Sequence, residues 1–256
     1  MKSPWLVPFG SRGAQPQHRL FCFPYAGGSA HVFRAWPPLL PSNVEVVAIQ
    51  APGKGSRMVE TPLSRVEDVV SGVLGAISTQ LRDLPFSFFG HSNGALIAFE
   101  LASELQDRGL PTPERLYLSA SPAPWTRHHE REYASMSDDE FVEKLRHLNG
   151  TPPGVFDEPE LLDLILPGLR ADFVLGERYR RTRQTLLKTP TVVFAGDDDE
   201  IQPMQVRGWQ DAIADELEVV PMPGGHFFLH THLDHLAAAL SAQLTRDMGM
   251  RAGMAA

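Results

Sequence analysis

The sequence predicts an α/β fold with a mostly parallel central sheet and helices on both faces. Three observations predict it. Short β-branched and aromatic runs alternate with longer helical stretches, the order of a parallel sheet with crossover helices. Several of the runs are apolar at consecutive positions, as strands covered on both faces are. The chain has 256 residues, 43% of them apolar and 21% charged, enough for one large core in a single domain.

The strand candidates are Arg19–Tyr25, Val44–Gln50, Phe86–Gly90, Arg115–Ser119, Thr191–Ala195 and Leu217–Met222. Helical periodicity covers Val66–Leu81, Asn93–Arg108, Gln205–Ala214 and about Leu233–Thr245. The stretch from about 121 to 187 offers no strand pattern and is read as a helical insertion. An insertion between parallel strands ordinarily covers their carboxyl ends, where ligands bind, so it is expected to act as a lid. Within it, Ser137-Asp-Asp-Glu140 is a capping box. Glu160–Arg170 carries leucines and Ile165 at helical spacing, interrupted by Pro167. Residues 246–256 show no apolar periodicity and are expected to be a disordered tail.

A net charge of −8 disfavours nucleic acid and anionic membranes as partners. One cysteine, Cys22, excludes an internal disulfide framework. The first residues lack the apolar core of a signal peptide, and no run of 18 apolar residues is present for a membrane span. A cytoplasmic monomer without membrane attachment is the expectation.

Gly90-His-Ser92-Asn-Gly94 fits the G-x-S-x-G elbow. An apolar strand leads in and an apolar helix leads out, so Ser92 would sit on a tight turn with helix N-terminal amides beside it. The α/β-hydrolase arrangement then requires an acid and a histidine downstream, in that order, each after a strand. The run Thr191–Ala195 leads into Gly196-Asp-Asp-Asp199, and Leu217–Met222 leads into Pro223-Gly-Gly-His226. Ser92, Asp199 and His226 are therefore the candidate triad. Asp198 remains an alternative acid, and Asp197 is read as capping the turn. Pro24-Tyr-Ala-Gly-Gly28, after the first strand candidate, is a glycine-bearing loop suited to an oxyanion hole. Its expected donors are the backbone amides of Ala26 and Asn93.

His230-Thr-His-Leu-Asp-His235 matches the H-x-H-x-D-H zinc signature of metallo-β-lactamase-fold hydrolases. No histidine follows His235, so further ligands for a dinuclear site are lacking. These residues, like His128 and His129 in the insertion, are read as surface polar groups, and no metal or cofactor is expected. Four arginines, Arg178, Arg180, Arg181 and Arg183, stand close together in an otherwise acidic chain. They are candidates for binding an acidic partner, against the alternative of a solvated helix face with internal ion pairs.

Several segments together resemble type II thioesterases, the editing enzymes of polyketide synthases and nonribosomal peptide synthetases. They are Leu20–Ala30 with Phe33 and Trp36, Gln50–Arg57 with Glu60 and Pro62, the Ser92 elbow, Leu166–Asp172 with Glu177 and Tyr179, and Pro223–Leu229. The likeness runs from about Arg19 to Leu240. It implies the α/β-hydrolase fold and hydrolysis of acyl thioesters from the phosphopantetheine arm of acyl or peptidyl carrier proteins. It also implies the roles given above for Ser92, Asp199, His226 and the Ala26 and Asn93 amides. Two positions depart from the family pattern: Asn93, where methionine is usual, and Glu200, where many relatives have proline. A small-ester carboxylesterase and a non-catalytic binding module are the competing readings.

Overall fold

In the computed structural model, which describes residues 3–11, 15–126, 133–148, 150 and 153–254, seven strands form one sheet. They are β1 (Leu6–Gly10), β2 (His18–Phe23), β3 (Val44–Ile49), β4 (Phe86–His91), β5 (Leu116–Ser119), β6 (Thr191–Gly196) and β7 (Glu218–Met222). Their spatial order is β1-β3-β2-β4-β5-β6-β7. β1 pairs antiparallel with β3, and every other pairing is parallel. The six parallel strands match the sequence expectation. β1 was not expected; it carries Pro8, exposed on a sheet-edge strand where no neighbour needs its missing N–H, and its register shifts between Pro8 and Gly10.

Helices α1 (Val66–Ile77), α2 (Asn93–Asp107), α3 (Asp138–Leu148), α4 (Pro159–Arg178), α5 (Pro203–Arg207), α6 (Phe228–Thr231) and α7 (Leu233–Met254) complete the chain. Alternation along β2 divides the core in two: Phe21 and Phe23 pack with α1 and α2, whereas Leu20 and Cys22 face Leu236 and Leu240 of α7. Two expectations are corrected. α7 runs through the predicted disordered tail to Met254, because polar partners, not apolar periodicity, hold it: Asp247 receives a two-pronged bond from Arg115 at 2.6–3.0 Å and the Tyr117 hydroxyl at 3.1 Å. α4 passes through Pro167 instead of breaking there. Pro167 and Asp163, whose carbonyl loses its helical partner, both lie on the exposed side of α4, where that carbonyl is not shut away from solvent.

Between β5 and β6 the described residues form helices and no strand of the sheet. Tyr133, Phe141, Leu145, Leu166, Leu169 and Val174 give this insertion a small core of its own. The Ser137 box opens α3 as expected: the Glu140 N–H donates to Ser137 Oγ at 3.3 Å, and Glu140 Oε2 accepts from the Ser137 N–H at 2.8 Å. The chain reverses its direction of winding between β2 and β4, so the loops after these neighbours meet at a switch point on the carboxyl edge. No helix among the described residues is long and apolar enough to cross a membrane.

Candidate active site

Ser92 joins β4 to α2 with φ 55° and ψ −115°, a conformation that costs a non-glycine residue about 1–3 kcal/mol. The surroundings hold it there. The Ser92 N–H donates to the Ser119 carbonyl at 2.8 Å. The glycines two positions either side are sterically required: a Cβ on Gly90 would lie 2.2 Å from the Gly94 carbonyl oxygen, and one on Gly94 would lie 2.1 Å from that of Phe23.

Asp199 follows β6 and His226 follows β7. The His226 Nδ1–H donates to Asp199 Oδ2 at 3.0 Å, and the Asp199 side chain is only 4% exposed. Asp199 Oδ1 accepts the Ile201 N–H at 3.3 Å, which turns the loop back toward the sheet. Asp197 and Asp198 are exposed, and Asp198 contributes its N–H to the Gly224 carbonyl at 3.1 Å. The aspartate brought to the histidine is thus Asp199. No hydrogen bond joins the Ser92 hydroxyl to another group among the described residues; catalytic bonds are commonly long in unliganded sites and shorten on binding.

A residue that the sequence reading passed over ties the segment carrying His226 to the end of β4. His91, fully buried, directs its Nε2–H to the His226 carbonyl at 2.9 Å and accepts at Nδ1 from the Ser119 hydroxyl at 2.9 Å. One donor and one acceptor are what a neutral imidazole offers. Burial, and next the nearby His226, push the His91 pKa well below the usual histidine value, so the ring stays neutral and this pattern is fixed. The only signal in the sequence was its place inside the elbow.

The loop after β2 turns at Tyr25–Gly28, with the Gly28 N–H on the Tyr25 carbonyl at 2.9 Å. The Ala26 amide has no acceptor among the described residues. Asn93 is the first residue of α2, where an N–H has no intrahelical partner. The Tyr25 hydroxyl donates to His230 Nε2 at 2.8 Å and so ties this loop to the segment after His226; burial lowers the His230 pKa. A small pocket beneath Asn93 has Phe23, Ile49 and Ile97 in its walls and Lys54 and Asp172 at its polar side.

The other candidates fall elsewhere. His232 bonds to Thr231 at 2.9 Å, and among the described residues no three His, Cys, Asp or Glu side chains converge as metal ligands. His128 and His129 lie outside the described residues. Of the four arginines, Arg183 is engaged with Glu100, Glu104 and Asp107. Arg181 stacks over Trp125 at 4.9 Å and donates to the Asp211 carbonyl. Arg180 is exposed but donates to the Glu177 and Tyr179 carbonyls, and Arg178 is exposed. As a group of four they are not a free basic patch, because the carboxylates of α2 and the aromatic Trp125 take two of them.

With this geometry in place, the model of the thioesterase domain matches residues 18–244. The chain belongs to the thioesterase domain family. It is 37% identical over 213 residues to the gramicidin S biosynthesis protein GrsT of Aneurinibacillus migulanus, covering 83% of each chain. It is 34% identical over 232 residues to the thioesterase PikA5 of Streptomyces venezuelae, covering 90% of this chain and 82% of that one. Among solved structures it is similar to the type II thioesterase BorB of the borrelidin biosynthetic cluster, with a TM-score of 0.83 and 32% identity, covering 94% of this chain and 97% of that one. This thioesterase therefore has the α/β-hydrolase fold, and the chain is a serine hydrolase of the type II thioesterase kind.

Proposed function

We propose that this thioesterase frees stalled or mis-primed acyl groups from the phosphopantetheine arm of acyl or peptidyl carrier proteins in polyketide or nonribosomal peptide assembly. The observation that carries the proposal is the Asp199–His226 bond on the same sheet edge as the strained Ser92 turn and two amides without acceptors among the described residues. In the reaction, Ser92 Oγ attacks the thioester carbonyl carbon as its proton passes to His226 Nε2. The negative oxygen is received by the Ala26 and Asn93 amides. Asp199 stabilises the imidazolium through Nδ1. The C–S bond breaks, and the imidazolium returns the proton to the departing thiolate. Water then attacks the acyl-serine ester, giving a proton to His226. The C–O bond to Ser92 breaks, Ser92 regains its proton and the free acid leaves.

A thiol of pKa about 8.5 departs with little acid help, so most of the barrier falls to nucleophile activation and to oxyanion donors, each worth about 3 kcal/mol. The chemistry proposed needs no cofactor of the protein's own, since the substrate brings the phosphopantetheine. Exposed Arg178 and Arg180 are the arginines available to an acidic carrier surface. A cytoplasmic monomer is the setting we infer.

The test is hydrolysis of an acetyl- or propionyl-loaded carrier protein by wild type and Ser92→Ala, with a matched oxygen ester beside it. Turnover on the carrier that vanishes in the variant is expected. Cleavage of the ester alone would sink the carrier-directed role, and activity surviving Ser92→Ala would remove the serine from the mechanism.

A further inference from the structure

One residue of the insertion reaches both halves of the proposed anion pocket. Asp172, in α4, is 4% exposed. Its Oδ2 accepts the Gly27 N–H at 2.7 Å, its Oδ1 pairs with Lys54 Nζ at 2.5 Å, and its main-chain carbonyl accepts Asn93 Nδ2 at 2.7 Å. One turn earlier in the same helix, Leu169 occupies the place that a Cβ on Gly27 would take, 2.3 Å away. A buried carboxylate persists only where donors satisfy it, and here both oxygens are satisfied.

The geometry bears on Ala26 specifically. Its two flanking peptides are both tied. The Gly28 N–H holds the Tyr25 carbonyl, which shares a peptide plane with the Ala26 N–H. Asp172 holds the Gly27 N–H, which belongs to the next plane. The first bond sets the shape of the turn; the second anchors the turn to the insertion. That second bond runs to an anion and is of the stronger, charge-assisted kind. The Asn93 side chain adds a tie from the second donor residue to the same point of α4.

We propose that Asp172 is a positioning residue for the oxyanion hole: through Gly27 it aims the Ala26 amide, so the docking of α4 and the stabilisation of the transition state are one event. The proposal rests on the roles given to Ser92, Ala26 and Asn93 above. A residue that merely fastened the insertion would affect stability and substrate binding; a positioning residue affects the anion.

Two inhibitors separate these possibilities. A trifluoromethyl ketone analogue of the substrate adds to Ser92 and places an oxyanion in the hole, whereas the matching thioether binds without one. For Asp172→Ala, kcat on a small soluble thioester should fall roughly 10- to 100-fold with KM within about threefold, since a misplaced donor loop costs nearly as much as a lost donor. The ketone should weaken by the factor lost in kcat/KM, and the thioether should bind as to wild type. Asp172→Asn, which keeps an acceptor for the Gly27 N–H, should recover most of the loss. If Asp172→Ala fails to fold, the inhibitor pair on Leu169→Ala decides, with ketone-specific weakening as the expected result and Asp172→Asn close to wild type beside it. Unchanged kcat, or equal weakening of ketone and thioether, would overturn the positioning role. A wild type that binds the ketone no more tightly than the thioether would instead overturn the underlying assignment of Ser92 and its donors, and the positioning role with it.

Discussion

Two buried histidines stand at opposite edges of the same sheet, and each bonds to a serine on the neighbouring strand. At the carboxyl edge His91, ending β4, meets Ser119 of β5 at 2.9 Å. At the amino edge His18, beginning β2, meets Ser87 of β4 at 3.0 Å. The difference lies in what the second nitrogen faces. His91 gives its N–H to the His226 carbonyl and holds a loop of the active site. His18 Nδ1 lies 3.6 Å from Glu114, too far for a hydrogen bond. Burial first, and the Arg251 charge second, lower its pKa to about 4. The same local unit therefore supports chemistry at one edge and stores a pH-dependent stability term at the other. Geometry at the second nitrogen, not residue type, separates the roles.

The comparison is broken or sharpened by variants at the two edges. The largest effect belongs to Asp199→Asn, which should lower kcat about 10³- to 10⁴-fold by disturbing the tautomer of His226. Asp198→Asn should stay within about threefold, with both read by thiol release from a small thioester. Next, His91→Leu should lower kcat on the order of 10- to 100-fold at nearly constant KM, because the His226 carbonyl loses its donor and the ring drifts. His18→Leu should leave kcat within about twofold. Equal losses from the two variants would erase the distinction drawn between the edges.

The third effect is on stability. In the unfolded chain His18 titrates near 6.5, and in the folded protein near 4. Between those values the unfolded state binds more protons, so stability falls as pH drops from about 6.5 to 4 and is flat with respect to this group below that. The loss between pH 7 and pH 5 from His18 is on the order of 2 kcal/mol. Urea unfolding of wild type and His18→Asn at the two pH values should show the variant losing that much less; parallel losses would remove His18 as the source. The smallest effect is expected from Arg178→Glu with Arg180→Glu. Together they should raise KM for a carrier-bound substrate about three- to tenfold and leave a small thioester unaffected.

The carboxyl edge was largely legible in the sequence because its parts obey local rules. Ser92, Asp199 and His226 each follow an apolar run, and their order along the chain matches the order in which the fold needs them. The amino edge was not legible. The grip of Arg115 on Asp247 and of Arg251 on Glu114 spans 132 and 137 residues, and no periodicity announces a polar contact between distant segments. The same reason hid the end of α7, whose buried side here includes Gln243 and Asp247 alongside Leu244. Asp172 belonged to a recognisable segment, but its bonds to Gly27 and Asn93 exist only once α4 lies against the sheet. The arginines were visible as a cluster, and the three carboxylates waiting for Arg183 were not, since they lie along α2 some 76 to 83 positions earlier.

The Arg115–Asp247 clamp has a consequence for how the chain matures as it is made. A ribosome adding about 5–20 residues per second needs on the order of ten seconds to travel from Arg115 to its partner. Throughout that interval the Arg115 guanidinium and the Tyr117 hydroxyl await a carboxylate that has yet to be synthesised. The central strands can begin to pair, but the amino edge closes only after α7 has left the exit tunnel. Nascent intermediates should therefore stay open to chaperones until α7 arrives.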